Sequence, residues 1–126
     1  MIPLIKGTGI DIIEIQRIRT LIEEKGQIAL ARLFTEREIM YCTSKRDPYP
    51  SYAGRFAAKE AFLKALGTGL RELKWTEIEI LPDESGKPTM HLTGSAAVIF
   101  QRIGASEVNL SISHCREYAI AQVILI

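Results

Sequence analysis

The sequence has few cysteines and no long apolar run, and both features exclude whole classes of protein. Cys42 and Cys115 are the only cysteines in 126 residues, which is too few for a disulfide framework. No apolar segment approaches the roughly 20 residues that a membrane-spanning helix requires. The opening segment, MIPLIKGTGIDII, is interrupted by a proline, a lysine and two glycines, so it lacks the continuous apolar core of a signal peptide. We therefore expect a reduced, cytoplasmic protein with no membrane partner.

An excess of charge of either sign is also absent. Sixteen Lys and Arg residues against fifteen Asp and Glu residues leave a formal net charge of +1. The whole-molecule field favours no nucleic-acid partner, so any charged partner must be recognised by a local patch. The hydrophobic fraction of 47% and the charged fraction of 25% are normal for a globular protein. The length predicts one domain, residues 1–126, with its own core.

Several familiar catalytic signatures are missing. There is no zinc-ligand spacing, no Ser/His/Asp order and no dinucleotide fingerprint. The segment LKALGTG is rich in glycine but lacks the Lys-Ser/Thr of a phosphate-binding loop, and its glycines close a helix instead of opening one. On this pattern alone, Gly67 and Gly69 are cap and turn residues.

The segment SISHCRE offers a histidine beside a cysteine at a strand end. Adjacent strand residues point to opposite faces, so His114 and Cys115 cannot form a nucleophile–base pair. Cys115 is most simply a small buried apolar residue. His114 is either a surface histidine or part of an anion site, and the pattern does not decide between the two.

Hydrophobic periodicity predicts an α+β fold. The segment LIKGTGIDII is predicted to be a strand, and from Asp11 the period becomes helical, ending at Gly26. Thr35 with Glu38 three residues later is a capping box that begins a second helix. The remaining elements predicted are a helix over 51–66, two strands around a turn at 83–87, a short helix closed near residue 104, and two strands around residue 116. We expect an antiparallel sheet packed with three to four helices.

Asp11 and Glu60 are the candidates for chemistry. Asp11 lies between two isoleucines at the predicted strand-to-helix junction, where it is either a helix N-cap or a carboxylate kept at the core edge for a purpose. Glu60 and Lys64 have the spacing of a stabilising i,i+4 ion pair, and Arg55 and Lys59 can be solvated charges in the same way. Carboxylates from two elements would suit Mg²⁺, which takes its other ligands from water and phosphates. Sequence spacing does not show that they meet.

Five segments, in order along the chain, resemble the holo-acyl-carrier-protein synthase family, the short bacterial-type 4′-phosphopantetheinyl transferases: GTGIDIIEIQRI, FTEREIMYC, GRFAAKEAFLKALGTG, GKP and SISHCREYAIAQVIL. The resemblance covers nearly the whole chain. It implies the 4′-phosphopantetheinyl transferase-like fold and an Mg²⁺-dependent reaction of fatty acid biosynthesis. In that reaction 4′-phosphopantetheine passes from coenzyme A to a serine of apo acyl carrier protein, and adenosine 3′,5′-bisphosphate is released.

The resemblance also implies roles for individual residues. Asp11 and Glu60 match the metal-binding carboxylates, Glu60 and Lys64 match catalytic positions, and Glu60 is the candidate base. Arg17, on the first helix, matches a basic position that grips the acidic carrier protein. Family members are trimers with active sites between subunits, so a homotrimer is expected. Coenzyme A contacts are implied for six residues: Arg55, Lys64, Gly67, Pro88, Ser113 and His114.

Two other functions stay open. One is a non-catalytic module that holds coenzyme A or a nucleotide through His114 and the glycines. The other is a metal-dependent phosphohydrolase, which would consume coenzyme A without any carrier protein. The products distinguish the three hypotheses.

Overall fold

One long helix organises the molecule, and the other elements pack around it. The structure, a computed structural model, describes residues 4–126, so the first three residues of the opening segment lie outside it. The elements in chain order are β1 (Gly7–Glu14), α1 (Ile15–Lys25), α2 (Gln27–Leu33), α3 (Glu36–Thr43), α4 (Tyr49–Leu66), a 3₁₀ turn (Trp75–Glu77), β2 (Ile78–Pro82), β3 (Pro88–Leu92), α5 (Gly94–Arg102), β4 (Val108–His114) and β5 (Tyr118–Leu125).

The strands form two antiparallel sheets. One has the order β1-β5-β4, and the other is the β2-β3 hairpin. In the first sheet Ala121 of β5 lies opposite Asp11 of β1 and Ile112 of β4. The central helix α4 packs on this sheet and contacts all three of its strands. The α+β class predicted from the periodicity is confirmed.

Glycines in β1 allow α4 to come unusually close. A Cβ atom at Gly9 would overlap the carbonyl oxygen of Ala61, and one at Gly7 would overlap that of Ala65. Both alanines are buried on α4, so the helix carries small side chains at the points where the strand has none. The GTG at the start of the strand therefore sets the distance between β1 and the part of α4 that carries Glu60 and Lys64.

Two predicted helix boundaries are confirmed in detail. The Thr35 hydroxyl accepts the Glu38 N–H at 3.2 Å, and the Glu38 carboxylate accepts the Thr35 N–H at 3.0 Å, which is a complete capping box. Gly67 closes α4 with a left-handed φ of 76°, as its cap role requires. Gly69 lies in the loop after the helix, as predicted for a turn residue, and its φ is not positive.

Three local predictions are wrong. The strand does not end at Asp11 but continues to Glu14, so Asp11 is not a helix N-cap. Helix α2 was not foreseen, because the glycine that precedes it supplies no side-chain cap. Helix α4 begins at Tyr49 and includes Pro50 in its first turn, where the missing N–H of proline costs nothing.

The two cysteines differ in environment. Cys42 is fully buried, and burial raises the pKa of its thiol to about 12. Cys115 is exposed in the turn after β4, so its assignment as a buried apolar residue is wrong. Over the described residues, no helix is both long and apolar enough to cross a membrane.

Candidate active site

Asp11 and Lys64 meet where β1 packs on α4. Alternation along β1 turns Asp11 toward the helix while its neighbours Ile10 and Ile12 face outward. The Lys64 ammonium donates to the Asp11 carboxylate at 3.1 Å and to the Ile10 carbonyl at 2.9 Å. The Lys64 side chain is 54% exposed against 18% for Asp11, so an incoming phosphate can reach the ammonium.

Glu60 shares the electrostatic surroundings of this pair. Partial burial raises the pKa of the Glu60 carboxyl, and the negative charge of Asp11 raises it further, while Lys64 and Arg17 act in the opposite direction. The i,i+4 ion pair expected between Glu60 and Lys64 is absent from the described part of the chain, where the carboxylate within 4.0 Å of Lys64 is that of Asp11. Two carboxylates and two cations therefore influence one another at the β1–α4 contact.

This donor set fits a hard divalent cation. Asp11 and Glu60 come from different elements, and each offers carboxylate oxygens, the ligands that Mg²⁺ prefers. Among residues 4–126 no group of three or more His, Cys, Asp or Glu side chains converges. Mg²⁺ is commonly bound by one or two carboxylates plus substrate phosphates, and two carboxylates beside an accessible ammonium match that pattern.

A second candidate site is a cavity of about 290 Å³ between α3, α4, the β2-β3 hairpin and the end of β4. Arg55, Pro88 and His114 all line it. Arg55 is only 6% exposed, so its interpretation as a solvated charge is wrong. Its guanidinium donates from Nε to the Ile80 carbonyl at 3.1 Å and lies 4.4 Å above the ring of Tyr41. A held guanidinium on a cavity wall is suited to binding an anionic group.

The predicted residues do not form one pocket within a single chain. Arg55 and Glu60 are five positions apart on α4, which places them about 140° apart around the helix axis. Ser113 and His114 are exposed neighbours on β4 and point to opposite faces of the sheet. Gly67 lies at the end of α4 and is not among the residues that line the Arg55 cavity.

Arg17 is exposed on α1. Within the described residues no carboxylate lies within 4.0 Å of its guanidinium. Arg19 does have partners: Glu23 at 3.5 Å and the face of the Tyr49 ring at 4.9 Å. Arg17 is therefore the freer cation of the two.

A buried ion pair that the sequence did not predict lies beside the site. Lys59 and Glu38 are both fully buried and join at 2.7 Å, so the interpretation of Lys59 as a solvated charge is wrong. Burial lowers the pKa of the Lys59 ammonium, and Glu38 opposes that effect. The available signal was position: Lys59 lies in the apolar segment FAAKEAF, whose alanines are buried.

The outer face of the three-stranded sheet carries isoleucines that no other part of the described chain covers. Ile10 and Ile12 of β1 are 56% and 61% exposed, and Ile120, paired with Ile12, is 36% exposed. The apolar C-terminal segment VILI adds little to this exposed surface, because its Val123 and Leu125 are fully buried. We call Ile10, Ile12 and Ile120 the outer isoleucine face.

Comparison with known proteins gives consistent matches. Residues 7–123 match the model of the 4′-phosphopantetheinyl transferase superfamily. A holo-[acyl-carrier-protein] synthase of Geotalea daltonii is 46% identical over 123 residues, which cover 97% of this chain and 98% of that protein. The crystal structure of holo-[acyl-carrier-protein] synthase from Neisseria meningitidis matches with a TM-score of 0.90 at 35% identity, covering 98% of this chain and 99% of that one. The crystal structure of the Helicobacter pylori synthase in complex with coenzyme A matches with a TM-score of 0.83 at 32% identity. The match covers 94% of this chain and 99% of that one.

Proposed function

The chain belongs to the 4′-phosphopantetheinyl transferase superfamily, within its holo-acyl-carrier-protein synthases, and from this premise we propose its reaction. It transfers 4′-phosphopantetheine from coenzyme A to a serine of an apo acyl carrier protein, in support of fatty acid biosynthesis. The observation that carries the proposal is the grouping of Asp11, Glu60 and Lys64 where β1 packs on α4. A cytoplasmic location and a single domain remain predictions.

The chemistry requires positioning and charge stabilisation more than covalent help from the protein. The serine oxygen of the carrier protein attacks the phosphorus that bears pantetheine. The bond from that phosphorus to the bridging oxygen breaks, and adenosine 3′,5′-bisphosphate leaves. We assign Glu60 as the acceptor of the serine proton and Lys64 as the cation that balances negative charge on the diphosphate.

The metal requirement follows from the same residues. Asp11 and Glu60 would hold Mg²⁺, which when bound neutralises negative charge on the diphosphate. The exposed Lys64 ammonium adds a second positive charge at a fixed position, because the Asp11 and Ile10 oxygens hold it. Asp11, Glu60 and Lys64 would in this way hold the diphosphate in place for attack by the serine oxygen.

We assign the 3′-phosphate of coenzyme A to the cavity of Arg55 and His114, with Pro88 on its wall. Because Arg55 and Glu60 point about 140° apart on α4, one coenzyme A molecule would bridge this cavity and the carboxylates of a neighbouring subunit. Ser113 and Gly67 lie outside the cavity and would contact coenzyme A from such a neighbour. A shared site of this kind requires self-association.

The protein is predicted to be a homotrimer that associates through the outer isoleucine face. Three partly exposed isoleucines on adjacent strands favour burial against another copy. Light scattering at working concentration should give the mass of three chains, and Ile12→Glu should shift it toward one. Ile28→Glu is the matched control, since Ile28 is 80% exposed on α2, away from this sheet face. A monomeric wild-type protein would exclude both the trimer and the shared site.

Arg17 is predicted to dock the acidic carrier protein. Arg17→Glu should raise KM for carrier protein and leave coenzyme A binding unchanged, because reversing a charge at an interface mainly slows association. The defect should shrink as salt rises, since such attraction is screened over roughly 10 Å at 0.1 M ionic strength. Initial rates at two salt concentrations, with coenzyme A saturating, measure this change in KM.

Arg102→Glu makes the same charge change at the end of α5 and serves as the control for Arg17→Glu. An unchanged KM at both salts would remove Arg17 from docking.

The two competing functions predict different products. A phosphohydrolase would release adenosine 3′,5′-bisphosphate from coenzyme A when no carrier protein is present. A binding module would bind coenzyme A and form no product. The proposed transferase forms product only when coenzyme A and apo carrier protein are both present, so one assay with each component omitted in turn separates all three.

A further inference from the structure

Three charged side chains are buried in the described part of the chain: Glu38, Arg55 and Lys59. Lys59 pairs directly with Glu38, and Glu38 is connected to Arg55 through one strand residue, Ile80. Burying three charges is costly unless each is paired and hydrogen-bonded. The hydrogen-bond partners of these three side chains show which groups they hold in place.

Lys59 uses all its donors on protein oxygens. Its ammonium donates to the Glu38 carboxylate at 2.7 Å, to the Leu33 carbonyl at 2.7 Å and to the Trp75 carbonyl at 3.1 Å. An ammonium has three donors, so none remains for a ligand. Lys59 is therefore not a substrate-binding residue, although it directly precedes Glu60.

Glu38 connects this lysine to β2. Its Oε1 accepts from Lys59 and from the Thr35 N–H, while its Oε2 accepts the backbone N–H of Ile80 at 2.9 Å. The carbonyl of the same Ile80 accepts from Nε of Arg55 at 3.1 Å. The residue that orients the Arg55 guanidinium is thus itself held by Glu38.

Helix α3 holds Arg55 in a second way. Tyr41, one turn after Glu38, places its ring 4.4 Å from the Arg55 guanidinium carbon. Nη1 of Arg55 donates to the Ser51 carbonyl at 3.4 Å, and within residues 4–126 Nη2 has no hydrogen-bond partner. Since Arg55 lines the cavity that also contains His114, both N–H groups of Nη2 and the second N–H of Nη1 are left for a ligand there.

We propose that Glu38 is a positioning residue that, through Ile80, aims Arg55 at the 3′-phosphate and so makes the enzyme prefer coenzyme A over 3′-dephospho-coenzyme A. This inference rests on the function proposed above, in which Arg55 contacts that phosphate. Glu38 itself is fully buried and touches no substrate.

Glu38→Gln tests the proposal with almost no change in volume. A glutamine has one acceptor oxygen, and we expect that oxygen to accept the hydrogen bond from the charged Lys59. The side-chain NH₂ then faces the Ile80 N–H, so two donors oppose each other and Ile80 moves away. We expect KM for coenzyme A to rise about tenfold, the value of one hydrogen bond to a charged group, with kcat unchanged. KM for 3′-dephospho-coenzyme A and for carrier protein should stay as in wild type.

The ratio of kcat/KM for coenzyme A to that for its 3′-dephospho form is the deciding readout, because general loss of stability lowers both values together. Leu125→Ala is the matched control: Leu125 is fully buried but lies opposite Val108, at the far end of β4 from His114. This control should unfold at lower temperature with the ratio unchanged. If Glu38→Gln does not fold, the double variant Glu38→Met/Lys59→Met removes both charges at once and should lower the ratio equally.

Three results overturn the inference, and they are distinguishable. If wild type forms no phosphopantetheinylated carrier protein, the proposed function fails and the inference fails with it. If Arg55→Ala keeps the wild-type ratio of kcat/KM for coenzyme A to that for 3′-dephospho-coenzyme A, Arg55 does not recognise the 3′-phosphate. If Arg55→Ala loses the preference but neither Glu38 variant does, the proposed function stands and the positioning role of Glu38 is wrong.

Discussion

Replacing Asp11 or Glu60 with alanine is expected to lower kcat by roughly 10²–10³-fold or more, the cost typical of removing one preorganised electrostatic group from an active site. Each variant removes one of the two carboxylates that we assign to Mg²⁺. Raising the metal concentration should restore the occupancy of the ion but not the rate, because the missing carboxylate would no longer fix its position relative to the diphosphate. Steady-state rates with carrier protein and coenzyme A both saturating measure the effect.

The fold should survive these substitutions, which makes the kinetic loss interpretable. Burial and the Asp11 charge raise the pKa of Glu60 above its unfolded value, so ionised Glu60 costs stability at neutral pH. This cost begins to fall as pH drops through the raised pKa and is gone below the unfolded-state pKa. Glu60→Gln should therefore unfold at neutral pH at the same temperature as wild type or higher. Asp11→Ala removes only an ion pair with the half-exposed Lys64, and such a pair contributes little to the free energy of unfolding. Near-normal turnover by either alanine variant at low millimolar Mg²⁺ would remove the metal-site hypothesis.

Gly9→Ala should damage stability and activity together. The added Cβ would overlap the Ala61 carbonyl oxygen, which is backbone and cannot rotate away, so α4 must move off β1. Overpacking of this kind costs about 1–3 kcal/mol in the free energy of unfolding. Because Glu60 immediately precedes Ala61, the same shift separates it from Asp11, and we expect a large fall in kcat/KM.

Gly69→Ala is the control for this prediction. Gly69 has no atom within 4 Å of the Cβ position and no left-handed φ, so an alanine there should leave the free energy of unfolding and the rates unchanged. Urea denaturation of the three proteins gives the stabilities. A Gly9→Ala protein with wild-type stability and rates would show that close packing of β1 on α4 does not position the site.

Local signals in the sequence predicted much of the fold. The capping box at Thr35, the cap at Gly67 and the turn between β2 and β3 depend on residues a few positions apart, and the structure confirms each of them. Helix α2 carries no such signal, since Gly26 both ends α1 and precedes α2. The helical period that begins near Asp11 predicts a strand-to-helix junction there, but pairing with β5 extends the strand past it.

The site was harder to predict because its contacts are distant in sequence. Lys64 and Asp11 are 53 positions apart, and Lys59 and Glu38 are 21 apart. For Lys64 the near neighbour Glu60 was the obvious partner, yet the tertiary approach set by Gly9 offers Asp11 instead. The family resemblance identified Asp11, Glu60 and Lys64 as candidate site residues. The burial of Lys59 and Arg55, in contrast, is visible only in the folded structure.

The most direct test of the proposed function is the mass of an apo acyl carrier protein after incubation with this protein, coenzyme A and Mg²⁺. The carrier protein should gain the mass of one phosphopantetheinyl group, with an equal amount of adenosine 3′,5′-bisphosphate released. Chelation of the metal, or alanine at the acceptor serine, should prevent both changes. A carrier protein of unchanged mass, with coenzyme A either intact or hydrolysed, would contradict the assignment of this chain as a phosphopantetheinyl transferase.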